Sequence, residues 1–381
     1  MKAIRAIFTG GGSGGHTMPA VAMISVLREH CKNNKIIIDL LYAGSHNGVE
    51  KEITKKYGIY YKSISTGKLR RYISIDNFFD IFRIIKGVFD SIKLVKSFKP
   101  DILISTGGFI SVPPVIAAKL KKVPVIIHEQ TIDAGLANKI AAKFADKIAV
   151  TFKESTEYFP KNKTVLTGIP LREEIFKGNR ELAFNEFGFD SELPTIYFTG
   201  GGLGCHILNE TALRILPKLL NKSNIIIQTG KTNDSKDYEE LVNFKESLDK
   251  EKKQRLAVFD FVDKEIAGIY SIADLAVARS GAGTINELAA LNIPAIFIPL
   301  AIATNNEQYK NAKSIADIGA AVIIEEKDLS DKILLHKIDE ILFTEKINEM
   351  KNNLKKSTFT NGTKKIIKLI LELVEKNKGK L

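Results

Sequence analysis

Residues 3–16 read AIRAIFTGGGSGGH, a short apolar run that leads directly into a glycine-rich turn. We predict a buried strand over Ala3–Phe8, because short apolar runs bounded by turn residues are typical of parallel sheets. Three further runs in this part of the chain predict strands in the same way: Lys35–Tyr42, Ile102–Ser105 and Val123–Ile127. Amphipathic helical segments lie between them, and this alternation predicts a doubly wound α/β domain.

The same pattern begins again after Pro170 and predicts five more strands: Thr195–Phe198, Asn224–Gln228, Leu256–Phe259, Leu275–Ala278 and Ala295–Ile298. We therefore predict two doubly wound, Rossmann-like parallel-sheet domains that face a cleft, one at 1–169 and one at 170–359. The length of 381 residues agrees with two domains, since one hydrophobic core rarely serves so long a chain. A last amphipathic helix is predicted at Thr363–Glu375, and the periodicity does not identify its partner.

The net charge of +12 suits an anionic partner, which includes a nucleotide, a nucleic acid or an acidic membrane surface. A lysine-rich proteome explains the same excess equally well. The two cysteines, Cys31 and Cys205, are far apart, so neither a disulfide framework nor a zinc site is indicated. The chain shows no secretory signal segment and no apolar run of the roughly 20 residues that span a bilayer. We therefore expect a reducing compartment and, at most, peripheral membrane contact.

The first glycine turn ends at His16 and contains GxGxxG at Gly10, Gly12 and Gly15. A dinucleotide site also requires an acid where the second strand ends, about 20 residues on, and Leu41–Ser45 contains none. This favours a turn that holds a sugar or phosphate through backbone N–H groups. His16 is either a space-filling residue at a helix start or a general base, since imidazole accepts protons near neutral pH.

Three other turns follow predicted strands, where ligands of such sheets bind. Ser105–Phe109 and the polar run His128-Glu129-Gln130 form one edge in the first domain. Gly200–Gly204 in the second domain could hold a phosphate by its backbone alone. Arg279–Thr284 precedes Glu287, which alone would indicate only a helix-dipole acid. Together with Arg279 and the glycines, Glu287 favours a sugar-nucleotide site with the carboxylate on the ribose hydroxyls.

Several other chemistries lack their motifs. Gly230-Lys231-Thr232 resembles the end of a Walker A loop, but Ile225 stands where its first glycine belongs. The chain contains no Asp-x-Asp pair and no HExxH. We therefore predict no metal and no cofactor.

Taken in order, these motifs resemble the MurG-type N-acetylglucosaminyltransferases of bacterial peptidoglycan synthesis, a family with the GT-B fold. The resemblance covers nearly the whole chain and is carried by Gly11–His16 with Pro19-Ala20, Thr106–Phe109, His128–Gln130, Gly135–Lys139, Gly168–Arg172, Gly200–Asn209, Gln228–Lys231, Arg279–Glu287, and Asn306–Gln308 with Asn311.

The resemblance implies an inverting transfer of N-acetylglucosamine from UDP-N-acetylglucosamine to the lipid-linked muramoyl-pentapeptide. It places His16, with Glu129 second, as the base that deprotonates the acceptor. It implies acceptor contacts in the first domain, against which the helix within residues 360–381 would pack, at His16, Phe109, His128, Glu129 and Asn138. It implies donor contacts, largely in the second domain, at Ser13, Gly14, Gly15, Thr131, Arg172, Gly202, Val262, Arg279, Ala282, Gly283, Thr284, Glu287, Gln308 and Asn311. It also implies a peripheral protein at the cytoplasmic face of the plasma (inner) membrane, with cell-wall synthesis proteins as further partners.

The chain departs from the family at three points. Gly202 and Leu203 replace the Ser and Gln of the third glycine turn, so backbone N–H groups must substitute for a hydroxyl contact to phosphate. Phe109 stands where the family has Tyr, and Thr131 where it has Asn. These changes affect individual contacts and leave the overall resemblance intact.

Segment 68–99 combines basic residues with an apolar helical stripe at Phe78, Phe82, Ile85, Phe89 and Ile92. The stripe is either the core face of an ordinary helix or a membrane-binding face on an anionic leaflet. The resemblance favours membrane binding, with Phe78, Phe82 and Phe89 as the membrane patch.

Functions of other classes stay open on these residues. A non-enzymatic nucleotide-binding module would not need His16, His128 and Glu129. A nucleic-acid binder would explain the charge, but no recognition fold is evident, and we expect no nucleic-acid partner. A UDP-N-acetylglucosamine 2-epimerase would share the fold and the donor without a lipid acceptor.

Overall fold

The computed structural model of the chain describes residues 2–12, 14–67, 75–230, 232–303, 306–357 and 359–379; side chains at 75–79, 81, 232 and 233 are outside the description. The chain forms two compact units, Met1–Arg172 with Asn361–Leu381, and Glu173–Thr360. Each unit is a parallel sheet with helices on both faces. The predicted pair of doubly wound α/β domains is confirmed.

The first unit contains a seven-stranded sheet in the order β3-β2-β1-β4-β5-β6-β7. All neighbouring strands are parallel, so their carboxyl ends share one edge of the sheet. The strands are β1 (Ala3–Thr9), β2 (Ile37–Gly44), β3 (Tyr60–Ser63), β4 (Ile102–Ser105), β5 (Val125–Glu129), β6 (Lys147–Val150) and β7 (Thr164–Leu166).

The α-helices that cover this sheet are α1 (Gly14–Asn33), α2 (Val49–Lys56), α3 (Ile75–Phe98), α4 (Val112–Leu120), α5 (Leu136–Ala141) and α15 (Thr363–Lys378). α15 packs beside α1, and Ile366, Ile370 and Val374 are fully buried with β1 residues in one core cluster. α3, α4 and α5 contribute to the core on the other face. Burial of this apolar surface is the main stabilising term for both layers.

The second unit contains a six-stranded parallel sheet in the order β10-β9-β8-β11-β12-β13. Its strands are β8 (Thr195–Thr199), β9 (Asn224–Gln228), β10 (Leu256–Phe259), β11 (Ala273–Ala278), β12 (Ala295–Phe297) and β13 (Ala321–Ile323). Its helices are α6 (Arg180–Phe187), α7 (His206–Leu219), α8 (Lys236–Glu246), α9 (Lys250–Gln254), α10 (Ile266–Ile272), α11 (Ala282–Ala290), α12 (Glu307–Ala316), α13 (Asp331–Leu342) and α14 (Lys346–Lys356).

Both sheets reverse their strand order beside the first strand of the unit, between β1 and β4 and between β8 and β11. Ligands of open α/β sheets bind at the carboxyl edge at such a reversal point, because the flanking loops diverge there. The four glycine-containing turns follow these four strands. The topology therefore predicts ligand binding at the same four turns that the sequence motifs indicated.

Candidate active site

In the first unit, the turns after β1 and β4 are in direct backbone contact. A Cβ on Gly10 would lie 2.1 Å from the Thr106 hydroxyl oxygen, and a Cβ on Gly108 would lie 2.3 Å from the Gly11 carbonyl oxygen. Gly108 also has a φ of +79°, which L-residues with a side chain rarely adopt. Glycine is therefore required where the two turns approach each other.

His16 lies in the first turn of α1 with its imidazole held from one side. Its Nδ1 is 2.9 Å from the Thr106 carbonyl oxygen and 3.2 Å from Gln130 Oε1. The Gln130 Nε2 donates to the same Thr106 carbonyl at 2.6 Å, which turns Oε1 towards the imidazole. Both neighbours of Nδ1 are acceptors, so Nδ1 carries the proton and Nε2 carries the lone pair. His16 is therefore held in the tautomer that accepts a proton at Nε2.

His128 lies in β5 and is fully buried. Burial lowers its pKa to about 4, against a smaller opposing effect of its hydrogen bond to Gly168 and together with the nearby His16. Its Nε2 donates to the Gly168 carbonyl at 3.2 Å, and its buried Nδ1 has no hydrogen-bond partner among the residues that the structure describes. His128 is therefore neutral near pH 7 and presents an unused acceptor.

Glu129 ends β5, and its carboxylate accepts four hydrogen bonds. The donors to Oε1 are the backbone N–H of Thr131 at 3.1 Å and its hydroxyl at 2.8 Å. The donors to Oε2 are the Gly135 N–H at 3.1 Å and Asn138 Nδ2 at 2.9 Å. These bonds shape the loop that leads into α5 and leave little acceptor capacity for a substrate proton. The geometry therefore favours His16 over Glu129 as the base.

Asn138 is held by the same network and keeps one unused polar atom. Its Nδ2 also donates to the His128 carbonyl at 3.1 Å, whereas its buried Oδ1 has no partner in the described part of the chain. Unpartnered buried polar atoms are rare in folded proteins and call for an explanation, and a ligand group is one. Phe109 is half-buried directly after Gly108, and Gly14 and Gly15 are exposed at the start of α1. Ser13 lies outside the described residues.

Glu50 is a supporting residue that the sequence motifs did not indicate. It is fully buried, and its Oε2 accepts from the Gly12 N–H at 3.3 Å. Its Oε1 accepts from the Ser45 N–H at 2.9 Å and the Ser45 hydroxyl at 2.6 Å. Tyr42 supports the same turn, because its hydroxyl donates to the Gly10 carbonyl at 2.7 Å. In sequence, Glu50 looks like an ordinary acid in the first turn of α2.

In the second unit, the turn after β8 leads into α7. The Gly201 N–H donates to the Thr199 hydroxyl at 3.0 Å, and the Gly204 N–H donates to the Gly201 carbonyl at 3.1 Å. Gly202 and Leu203 are exposed at the tip, and Leu203 exposes 88% of its surface. Beyond this tip, the first N–H groups of α7 lack intrahelical acceptors, which makes the turn suitable for an anion.

Arg279 follows β11 and contacts protein rather than open space. Its Nη1 donates to the Ile298 carbonyl at 3.0 Å, and its Nη2 forms an ion pair with Glu326. The side chain is 11% exposed. These contacts favour a role for Arg279 in holding the loop that leads into α11. Arg172, at the end of the first unit, places Nη1 3.4 Å from the Tyr57 hydroxyl.

The remaining predicted donor residues lie on or near α11 and α12. Ala282, Gly283 and Thr284 form the first turn of α11, whose N–H groups are available to an anion. Glu287 accepts from the Tyr270 hydroxyl at 2.7 Å, and Gln308 accepts from the Leu300 N–H at 3.1 Å.

Asn311 and Ser280 are fully buried next to each other. Asn311 Nδ2 donates to the Ser280 carbonyl at 3.3 Å, while neither Asn311 Oδ1 nor the Ser280 hydroxyl has a hydrogen-bond partner within the described ranges. Val262, the residue implied to meet uracil, is 8% exposed in the segment after β10. The second unit thus repeats the feature seen at Asn138, an unused polar atom at a predicted ligand residue.

The predicted membrane stripe lies on α3. Phe82, Ile85 and Phe89 expose 57%, 49% and 62% of their surface, which is unusual for large apolar side chains on one helix face. The side chain of Phe78 lies outside the description. None of the described helices has the length and hydropathy needed to cross a bilayer. Within the described residues, no cluster of three His, Cys, Asp or Glu side chains is arranged to hold a metal ion.

Comparisons with known proteins give a consistent result. The model for the glycosyltransferase family 28 N-terminal domain matches residues 6–150, and that for the family 28 C-terminal domain matches residues 195–370. A protein of Clostridium novyi is 41% identical over 97% of this chain and 99% of its own length. One from Bacillus cereus is 41% identical over 96% and 99%. Both are named UDP-N-acetylglucosamine–N-acetylmuramyl-(pentapeptide) pyrophosphoryl-undecaprenol N-acetylglucosamine transferase, the latter as number 2.

Two solved structures extend the comparison. The crystal structure of Acinetobacter baumannii MurG is similar, with a TM-score of 0.72 and 27% identity over 97% of this chain and 99% of that one. A UDP-GlcNAc 2-epimerase from Neisseria meningitidis has a TM-score of 0.65 at 15% identity, over 98% and 100%. The second likeness is one of fold alone.

Proposed function

Because the chain belongs to glycosyltransferase family 28 along both of its units, we propose that it moves N-acetylglucosamine from UDP-N-acetylglucosamine to the 4-hydroxyl of the muramoyl-pentapeptide on undecaprenyl pyrophosphate. The product is the disaccharide lipid of peptidoglycan synthesis, lipid II. The observation that carries this proposal is the full-length similarity to relatives whose names state that reaction. The site geometry adds a base and two anion-binding turns.

The chemical step is one inverting displacement. His16 Nε2 takes the proton of the acceptor 4-hydroxyl as that oxygen attacks the anomeric carbon of the donor sugar. The bond from that carbon to the β-phosphate oxygen breaks, UDP leaves, and the α-linked sugar becomes β-1,4-linked. The Thr106 carbonyl and Gln130 Oε1 favour the imidazolium that forms, since both accept from Nδ1–H.

The acceptor sugar and peptide bind the first unit. Its polar edge offers His128 Nδ1 and Asn138 Oδ1 as unused acceptors for hydroxyl or amide donors. Glu129 acts on the acceptor indirectly, since its four hydrogen bonds hold the loop that carries Thr131 and Asn138. Phe109 lies beside this edge and offers apolar surface.

The donor binds the second unit. The N–H groups at the starts of α7 and α11, next to Gly202 and Gly283, stabilise the diphosphate and the charge of the leaving UDP. Glu287 accepts from the ribose hydroxyls, and the backbone at Val262 meets uracil. Gln308 and Asn311 contact the sugar, and Asn311 Oδ1 and the Ser280 hydroxyl have no hydrogen-bond partner among the described residues. Arg172 adds positive charge, whereas Arg279 holds the loop through Ile298 and Glu326.

The protein acts as a peripheral protein at the cytoplasmic face of the plasma membrane. The exposed apolar stripe of α3 enters the leaflet, and the lysines and arginine beside it attract anionic lipids. Liposome co-sedimentation of a Phe82→Ser/Phe89→Ser variant tests this part. The variant should bind anionic vesicles more weakly than the unmodified protein, and equal binding would contradict the membrane role.

The test of the reaction is transfer of radiolabel from UDP-N-acetylglucosamine to a short-chain lipid-linked muramoyl-pentapeptide, with EDTA present. Labelled disaccharide-lipid is the expected product. If the donor binds but no label moves to the lipid, the acceptor assignment is wrong. Release of free UDP and an epimerised sugar instead would identify a 2-epimerase.

A further inference from the structure

A cavity of about 520 Å³ opens between α3 and the carboxyl end of β3 in the first unit. Its basic lining includes His46 after β2, Lys62 in β3, and Lys86 and Lys93 on α3. No step of the proposed mechanism uses it. Its volume exceeds what a single phosphate needs, and its position is at the same sheet edge as His16.

The lining of the cavity carries three lysines and, among the described residues, one carboxylate, so its net charge is positive. That carboxylate is Asp90, whose Oδ2 accepts from the Ser65 N–H at 3.1 Å and the Ser65 hydroxyl at 2.7 Å. Burial would raise the pKa of Asp90, but the bonds from Ser65 and the nearby Lys86 and Lys93 lower it, so the carboxylate stays ionised. Lys86 and Lys93 form no hydrogen bond or ion pair within the described part of the chain.

The two elements that form the cavity wall, α3 and the segment after β3, are in direct backbone contact. A Cβ on Gly87 would lie 2.1 Å from the Ser65 carbonyl oxygen, so the α3 backbone touches the segment after β3 directly. Asp90 joins the same two elements through Ser65. The two unpaired lysines of α3 therefore stand at a fixed place relative to the end of β3.

A short chain of hydrogen bonds connects this cavity to the glycine turn. The Gly12 N–H donates to Glu50 Oε2 at 3.3 Å, and the Ser45 N–H donates to Glu50 Oε1 at 2.9 Å. Ser45 is followed directly by His46, which lines the cavity. The cavity therefore adjoins the residues that support the glycine turn.

Exposed aromatic rings lie beside the cavity lysines on α3. Phe82 and Phe89 precede Lys86 and Lys93 by four residues each, so each lysine lies next to an exposed ring on the helix surface. An ammonium beside an exposed apolar stripe suits a molecule with an anionic head and a hydrocarbon tail. The first unit thus carries, in sequence across its surface, the glycine turn with His16, the basic cavity, and the exposed apolar stripe of α3.

We propose that this cavity binds the pyrophosphate of the lipid-linked acceptor, with Lys86 and Lys93 as its principal ligands. The proposal rests on the proposed function, since that acceptor carries a sugar, a pyrophosphate and a polyprenyl chain in the same order. The sugar lies at His16, the pyrophosphate lies between the lysines, and the chain leaves along Phe82 and Phe89 towards the bilayer. Lysine is a common point-charge ligand for phosphate oxygens.

The test compares two double variants that change charge equally. Lys86→Gln/Lys93→Gln removes the cavity lysines. Lys96→Gln/Lys99→Gln removes one lysine in the last turn of α3 and one directly after the helix, neither of which lines the cavity. Kinetics are measured in detergent with a short-chain pyrophosphate-linked acceptor, so that no phospholipid is present. The cavity variant should raise the acceptor KM roughly tenfold, with kcat and the donor KM little changed. The control variant should match the unmodified protein.

A second readout uses inorganic pyrophosphate as the probe. It should compete with the acceptor in the unmodified protein and lose most of this inhibition in the cavity variant. Equal increases of the acceptor KM in both variants would show that only the total positive charge matters, and would overturn the proposed pyrophosphate subsite. An unchanged KM in detergent, with weaker binding of the cavity variant to anionic vesicles, would assign the lysines to bulk phospholipid and also overturn it. Absence of transfer by the unmodified protein would instead refute the proposed function.

Discussion

Gln130→Leu is a sensitive test of how the base is prepared. Leucine keeps much of the volume of the buried glutamine but removes the Oε1 that accepts from His16 Nδ1 at 3.2 Å and the Nε2 that donates to Thr106 at 2.6 Å. His16 then keeps the Thr106 carbonyl as its remaining partner at Nδ1. The tautomer with a free Nε2 lone pair should therefore be less favoured but not lost.

The size of the effect follows from the two hydrogen bonds. Each contributes about 1 kcal/mol net, so the free energy of unfolding should fall by about 2 kcal/mol. The bond to His16 alone bears on the tautomer, and about 1 kcal/mol corresponds to roughly a fivefold decrease in kcat. The donor KM should not change, because the hydrogen bonds that the substitution removes go to His16 and Thr106 of the first unit.

The assay is initial-rate transfer at saturating donor, with thermal unfolding measured on the same preparations. A kcat loss as large as that of His16→Ala would mean that Gln130 acts on the substrate directly. An unchanged kcat together with the expected stability loss would show that Gln130 does not prepare the base. Either result would refute the tautomer argument.

Three further predictions follow from the same geometry. His16→Ala should lower kcat about 10²–10⁴-fold and leave the affinity for UDP-N-acetylglucosamine unchanged by calorimetry; a variant with full turnover would remove His16 as the base. His128 has a pKa of about 4 in the folded protein, below its value in the unfolded chain, so the unfolded chain binds the proton more tightly between about pH 6.5 and 4. The free energy of unfolding should therefore fall by about 3 kcal/mol as the pH decreases through that window. Urea unfolding at several pH values should show this slope and His128→Asn should lack it; an equal slope in the variant would contradict the assignment. Gly108→Ala should destabilise the protein by about 1–3 kcal/mol, because φ is +79° and the new Cβ would overlap the Gly11 carbonyl oxygen. Gly14→Ala is the control, since its Cβ would meet no atom within 4 Å. Equal stability of the two variants would contradict the close contact at Gly108.

The apolar runs of the sequence predicted most of the fold, whereas β3, β6, β7 and β13 were not predicted. β1, β4, β5 and the first three strands of the second unit lie where the runs indicated, with ends that differ by one or two residues. β3 reads YYKS and β13 reads AVI; both are edge strands with at most one buried residue, so neither shows the continuous apolar run of a buried strand. Their pairing with β2 and β12 decides that they are strands, and that pairing is tertiary.

The candidate site was predictable to the extent that it lies in turns at strand ends. Long-range side-chain contacts were not predictable. Glu50 accepts a hydrogen bond from Gly12, which is 38 residues away in sequence, and Arg279 pairs with Glu326, which is 47 residues away. No local sequence pattern predicts either contact. The sequence indicated Arg279 as a phosphate ligand because of its neighbours, and the structure shows the protein groups that its guanidinium contacts. The direct role of Arg279 towards the donor stays a prediction.

The most direct test of the central claim is to determine the product of a single turnover with UDP-N-acetylglucosamine labelled with ¹³C at the anomeric carbon and the lipid-linked muramoyl-pentapeptide. We predict one new β-1,4 linkage on the muramoyl sugar, seen by the one-bond carbon–proton coupling of the labelled centre. We also predict that its formation depends on His16. An α-linkage, or label recovered only in a free or epimerised sugar, would contradict the account.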